Sequence, residues 1–190
     1  VRKIWKRRIL INNPVVLDRV QIEQDLRDGN QVIVQFSHPE FYGSILEEVD
    51  ELCARLDENF GVRFYGHYSL SFDGHTLLRI PHVKMLHLNS LTQAHNTETL
   101  TTLKHLHSLH LGIYELENSE VLGIETLRSL RELSIISEKK NSQPSIFERI
   151  LSSGTIACRG KGEKLGCGWR SEGFELSRAA FDQQITVTFC

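Results

Sequence analysis

The sequence predicts an α/β protein: a short solenoid with a parallel sheet, preceded by a strand–helix–strand N-terminal unit. Three observations predict it. A pattern of five apolar positions returns three times, starting at Leu77, Leu100 and Ile124, at periods of 23 and then 24 residues. Upstream, two β-type runs flank an amphipathic stretch of helical period. The chain has 190 residues, 40% hydrophobic and 24% charged, enough for one domain with a real core and too apolar for wholesale disorder.

Residues 1–30 read as a basic N-terminal arm and lead-in. Arg2, Lys3, Lys6, Arg7 and Arg8 gather cations ahead of Ile9-Leu10-Ile11, an apolar run too short for the core of a signal peptide. A solvated basic end is the plain reading; attachment to anionic lipid or nucleic acid is the functional one. Gln31–Phe36 then forms a strand with Val32, Val34 and Phe36 on one face. Ser37 and Glu40 have capping-box spacing, with Pro39 in the first turn, so a helix is expected to start there. Ile45, Val49, Leu52, Cys53 and Leu56 make its apolar stripe, with Glu47, Glu48, Asp50 and Glu51 outside it. Cys53 lies on that stripe and is expected to be a buried thiol. Val62–Tyr65 alternates as a second strand, and a strand–helix–strand unit of this length calls for a parallel pair.

The repeat follows. Its copies are Leu77-x-x-Ile80-x-x-Val83-x-x-Leu86-x-Leu88, Leu100-x-x-Leu103-x-x-Leu106-x-x-Leu109-x-Leu111 and Ile124-x-x-Leu127-x-x-Leu130-x-x-Leu133-x-Ile135. The spacing-3 part reads as a helical or 3₁₀ turn, and the final spacing-2 pair as a strand. An amphipathic helix over 100–109 competes in one window, but three phased copies with the same change of spacing oppose it. On these residues the chain resembles the leucine-rich repeat family, with short bacterial internalin-like repeats nearest in spacing. The resemblance implies a leucine-rich-repeat solenoid over residues 31–150. The position three residues after the last strand leucine, usually Asn or Cys in that family, is here Leu91, Tyr114 and Glu138. Twenty-four residues before Leu86 and Leu88 stand Val62 and Phe64, an earlier divergent repeat, with the strand at 31–36 as a cap before it.

In such a stack the leucines point inward and the intervening residues outward. The outward columns are Arg63, His87, His110, Ser134; Tyr65, Asn89, Gly112, Ile136; and Gly61, Met85, Ser108, Glu132. Lys84, His107 and Arg131 form a cationic stripe just before the strands. This face offers Tyr, Met, His and Arg together, residue types suited to an interface with another protein. The expected partner-binding residues are Arg63, Tyr65, Lys84, Met85, His87, Asn89, His107, His110 and Arg131. The expected function is non-enzymatic protein–protein interaction. The alternative is a metal-dependent or hydrolytic protein using His87 and His110. No motif isolates a catalytic residue, three metal ligands are not evident, and no cofactor is expected.

After Pro144 the periodicity fails. Residues 151–190 form an irregular tail with six of the 13 glycines and Cys158, Cys167 and Cys190. It is a divergent cap, a disordered extension or a sequence alien to the repeat; Gln184–Phe189 alternates as a terminal strand. The glycines fail the P-loop pattern and the cysteines lack Cys-x-x-Cys spacing. A net charge of -2 argues against a nucleic-acid partner, and no run reaches the roughly 20 apolar residues of a membrane span. Sparse cysteine before residue 158 makes the reducing cytoplasm the expected location. An imperfectly capped solenoid end leaves pairing with a second copy open.

Overall fold

The computed structural model describes residues 5–66, 71–116, 130–137 and 184–189. Strands β1 (Arg8–Asn12), β2 (Gln31–Phe36), β3 (Phe60–Tyr65), β5 (Met85–His95), β6 (Ser108–Leu116), β7 (Glu132–Ser137) and β8 (Gln184–Phe189) lie side by side in that order. The short β4 (Ser71–Asp73) pairs with the far end of β5, and each of these pairings is parallel. The fold is therefore mixed α/β around a parallel sheet. It takes in β1 from the segment read as a basic arm, and β8 from the tail. The strand at 31–36, expected as the cap, is instead interior and has β1 outside it.

A parallel pair needs a crossover, and the crossovers shorten along the chain. Helix α1 (Arg19–Arg27) joins β1 to β2, and α2 (Ile45–Arg55) joins β2 to β3. The next two are 3₁₀ turns, Gly74–Arg79 before β5 and Thr97–Thr102 before β6, where the spacing-3 pattern asked for them. Asp18 caps α1 by accepting from Gln21 N at 3.0 Å, and Gly29 ends it at a φ of 82°. The expected capping box does not start α2. Asn13 claims Ser37 instead: its Nδ2 donates to Ser37 Oγ at 2.9 Å, and its Oδ1 accepts from Ser37 N at 2.8 Å. Pro39–Phe41 makes a separate 3₁₀ turn, and α2 begins only after Ser44.

The apolar stripe of α2 packs as its spacing predicts. Ile45, Val49, Leu52 and Cys53 are buried and Leu56 partly so. Burial pushes the Cys53 thiol up to about 12, which leaves it without thiolate reactivity. All five apolar positions of the first two repeat copies, Leu77 to Leu88 and Leu100 to Leu111, are buried in one cluster with Val32, Val34, Phe36, Phe60, Val62 and Phe64. Leu91 is buried in the same cluster and lies within β5, so the strand runs on where the repeat spacing put a turn. Of the third copy, Leu130 is buried, while Ile124 and Leu127 fall outside the described residues. Aromatic rings close one end of the core: Phe64 lies 5.7 Å from Phe36, 5.2 Å from Tyr42 and 5.1 Å from Phe72.

Neighbouring turns are tied to each other about one strand spacing apart. Asn96 Nδ2 donates to Asp73 Oδ1 at 2.9 Å, and Thr99 Oγ1 donates to Gly74 O at 2.9 Å. Ion pairs tie the crossovers on the surface: Arg19 to Glu48 and Glu51, Arg55 to Glu23, and Arg79 to Glu47. Such exposed pairs contribute little each, about 0–1 kcal/mol, so the buried leucines carry the stacking.

Leu109 is fully buried in β6. Leu109→Asp puts an unpaired charge among the stacked leucines and should abolish cooperative thermal unfolding, as followed by circular dichroism. At Gly74 an added Cβ would stand 2.1 Å from the Asn96 carbonyl oxygen. Gly74→Ala should therefore lower stability by about 2 kcal/mol or more in a urea titration; an unchanged midpoint would contradict the close packing of these turns.

Candidate functional site

The sheet face opposite the leucine core carries a polar row that crosses six strands. Register aligns Asn12 with Gln35, Gln35 with Arg63, Arg63 with His87, His87 with His110, and His110 with Ser134. Parallel pairing keeps like positions adjacent, so one polar residue per strand becomes a line. Three neighbouring pairs along it interact directly. Arg63 Nη1 donates to Gln35 Oε1 at 3.2 Å, and Gln35 Nε2 donates to Asn12 Oδ1. The rings of His87 and His110 stack at 4.1 Å, with planes 4° apart. The Arg63 guanidinium lies 4.9 Å over the Tyr65 ring.

The expected column Arg63, His87, His110 and Ser134 is thus assembled as the repeat phase implied. In the column Tyr65, Asn89, Gly112, Ile136 only the first pair aligns. A register shift between Leu88 and Leu91 separates Asn89 from Gly112, and the β6–β7 pairs run from Ser108 and Glu132 to Leu111 and Ile135. Met85 aligns with Ser108, and Ser108 with Glu132. Two expected binding residues face outward yet are largely covered. Met85 is only 2% exposed: its side chain lies over Gly61, where an added Cβ would meet it at 2.9 Å, and its Sδ accepts from Gln31 Nε2 at 3.2 Å. His87 is 6% exposed, beside His110 and Arg63. Arg63, Tyr65, Asn89, Lys84, His107 and His110 are half-buried, and Arg131 is exposed.

The cationic stripe is answered by an acid. Arg131 Nη1 pairs with Glu58 Oε2 at 2.8 Å, and His107 Nδ1 stands 3.9 Å from the same oxygen. Lys84 Nζ donates to the Leu56 carbonyl. The residues that the sequence reading missed are Arg8, Gln31, Gln35 and Asn12. A usable signal existed: Gln31 and Gln35 occupy the face of β2 opposite Val32, Val34 and Phe36, polar residues inside an otherwise apolar strand.

Ser108, His110 and Glu132 have the composition of a nucleophilic triad but not its geometry. Ser108 Oγ lies 3.2 Å from His110 Nε2 and donates to Glu132 Oε2 at 3.0 Å. Glu132 Oε2 also stands 3.9 Å from that same Nε2. A triad places the acid on the other ring nitrogen, so that the imidazole can take the hydroxyl proton. Here the hydroxyl donates to the carboxylate, which stands on the same side of the ring as the hydroxyl. Among the described residues, no group of three or more His, Cys, Asp and Glu gathers within reach of one metal ion. No described helix is long and apolar enough to cross a membrane.

Burial, with the charges of His110, Arg8 and Arg63, lowers the His87 imidazole to about 2. Burial lowers His110 as well, opposed by Glu132 and assisted by Arg8. No family model matches the chain, and neither a curated protein nor a solved structure matches it.

Both imidazoles are thus lowered in the fold from about 6.5 in an unfolded chain. Protons therefore bind the unfolded chain preferentially below that value, and stability falls as pH drops through it. His87 alone should remove about 2 kcal/mol between pH 7.5 and 5.0. His87→Gln should make urea-measured stability less steep between pH 6 and 5 by about 1.4 kcal/mol per unit; equal slopes would show that His87 is not buried neutral.

Proposed function

We propose that the chain is a non-enzymatic interaction module: a short leucine-rich-repeat solenoid that binds another protein on the outward face of its parallel sheet. Successive strands pair at offsets of 23 (Arg8 to Gln31), 28 (Val32 to Phe60), 24 (Val62 to Leu86), 23 (Met85 to Ser108) and 24 (Ser108 to Glu132). Near-constant spacing, with turns hydrogen-bonded to turns, supports the solenoid reading. The observation that carries the binding reading is the row Gln35, Arg63, His87 and His110, aligned by register across four strands, with Arg63 hydrogen-bonded to Gln35 and His87 stacked on His110. A rigid polar row costs little further ordering when a partner docks, which favours recognition. The half-buried residues around it, Tyr65, Asn89 and His107, and exposed Arg131 supply the contact rim.

The test is quantitative affinity capture with the full chain as bait, in three forms. These are the wild type, a face variant (Arg63→Ala, Tyr65→Ala, His110→Ala) and a control, Arg79→Ala, altered on the crossover side. A saturable protein partner should be lost at least tenfold with the face variant and kept with the control. Retention of every partner by a folded face variant would place binding elsewhere.

A further inference from the structure

Among the described residues, two guanidiniums on the outward face lack a carboxylate partner. Arg8 and Arg63 each find a neutral amide where a carboxylate would be expected: Arg8 Nε donates to Gln31 Oε1 at 2.6 Å, and Arg63 Nη1 to Gln35 Oε1 at 3.2 Å. Those amides pass the imbalance on, Gln35 Nε2 donating to Asn12 and Gln31 Nε2 to the Met85 thioether. Arg63 Nε is buried without an acceptor, and so is His87 Nε2. Among the described residues no carboxylate pairs with either guanidinium. Glu132, the nearest acid on the outward face by strand register, is engaged by Ser108. Burial depresses the Arg63 pKa, and the charge of Arg8 depresses it further. Arg8 also acts on His87 and His110, so these groups lie within one local field.

A desolvated guanidinium with an unmet N–H and no counter-charge is destabilising, and folds rarely leave one without a use. We propose that Arg8, Arg63 and His87 form a binding site for an oxyanion, a carboxylate or a phosphate, on the outward face. Arg63 is pre-positioned for it: the Tyr65 ring supports its plane and Gln35 holds Nη1, while Nε is left unmet. Arg8, exposed on the edge strand, supplies the second charge and the side of approach. His87, neutral beside them, adds a third donor in the tautomer that carries its proton on Nε2. An anion seated there provides the acceptor that Arg63 and His87 lack, so binding and stabilisation come together. The site stands whether or not the bound oxygen belongs to a protein partner. A free phosphate and a carboxylate side chain share its chemistry.

The full chain is titrated with sodium phosphate and, separately, with sodium glutarate, chloride being exchanged to hold ionic strength constant. Arginine Nε–H resonances and the thermal midpoint are followed. We expect saturable shifts and a rising midpoint with at least one of the two probes. Arg63→Gln and Arg8→Gln should each weaken binding at least tenfold, while Arg79→Gln leaves it unchanged. Tighter phosphate binding marks a free-anion site, and tighter glutarate binding a site for a carboxylate side chain; either supports the proposal. Non-saturable responses to both probes, or equal binding by the wild type and Arg8→Gln, would overturn it. Arg8 is exposed on the sheet edge, so that variant keeps the test open even where Arg63→Gln fails to fold.

Discussion

Everything else in this molecule depends on the parallel pairing of strands spaced by 23 to 28 residues from β1 to β7. Parallel register sets equivalent positions of successive strands side by side. A leucine thus meets a leucine on one face, and a polar residue meets a polar residue on the other. The core and the polar row are two results of one constraint. Hydrophobic burial stabilises the leucine face without direction, whereas the outward row is specific: amide to guanidinium, then ring against ring. A one-residue slip would exchange the faces, putting His87 among the leucines and Leu88 outside.

The leucine stack was legible in the sequence because it is periodic. Leu77 to Leu111 repeats a change from spacing 3 to spacing 2, and each of those positions is buried. What escaped was set by contacts that no local pattern encodes. The start of α2 moved because Asn13 takes the Ser37 hydroxyl from the turn of the preceding strand. Strand β1 was hidden because its five residues lie beside a run of cations and carry only two inward-facing isoleucines, Ile9 and Ile11. Helix α1 escaped for a similar reason, with Ile22 as its one buried residue.

The candidate site was half legible. Repeat phase alone put Arg63, His87 and His110 in one column, as the register has them. Phase says which way a side chain points and nothing of how much solvent reaches it. Met85 and His87 were therefore read as available when they are covered. Nor does phase reveal compensation. Glu58 sits in a loop outside the repeat pattern, yet it pairs with Arg131 and so reduces the positive stripe. The shortage of acceptors around Arg63 is the converse case, visible only once each donor is followed to its partner.

The even spacing of the crossovers has a kinetic side. Parallel sheets are slow to form when their pairings span long, unequal stretches of chain, because loop closure grows costlier with length. Here each strand from β1 to β7 meets the next after closing a loop of nearly the same modest size. Loop length alone therefore favours none of these pairings as the first to form. Edge strand β1 has one paired side among the described strands, so it is the side of this series open to fraying. The Asn12 end of the polar row belongs to β1, so the row is completed only when the edge has closed.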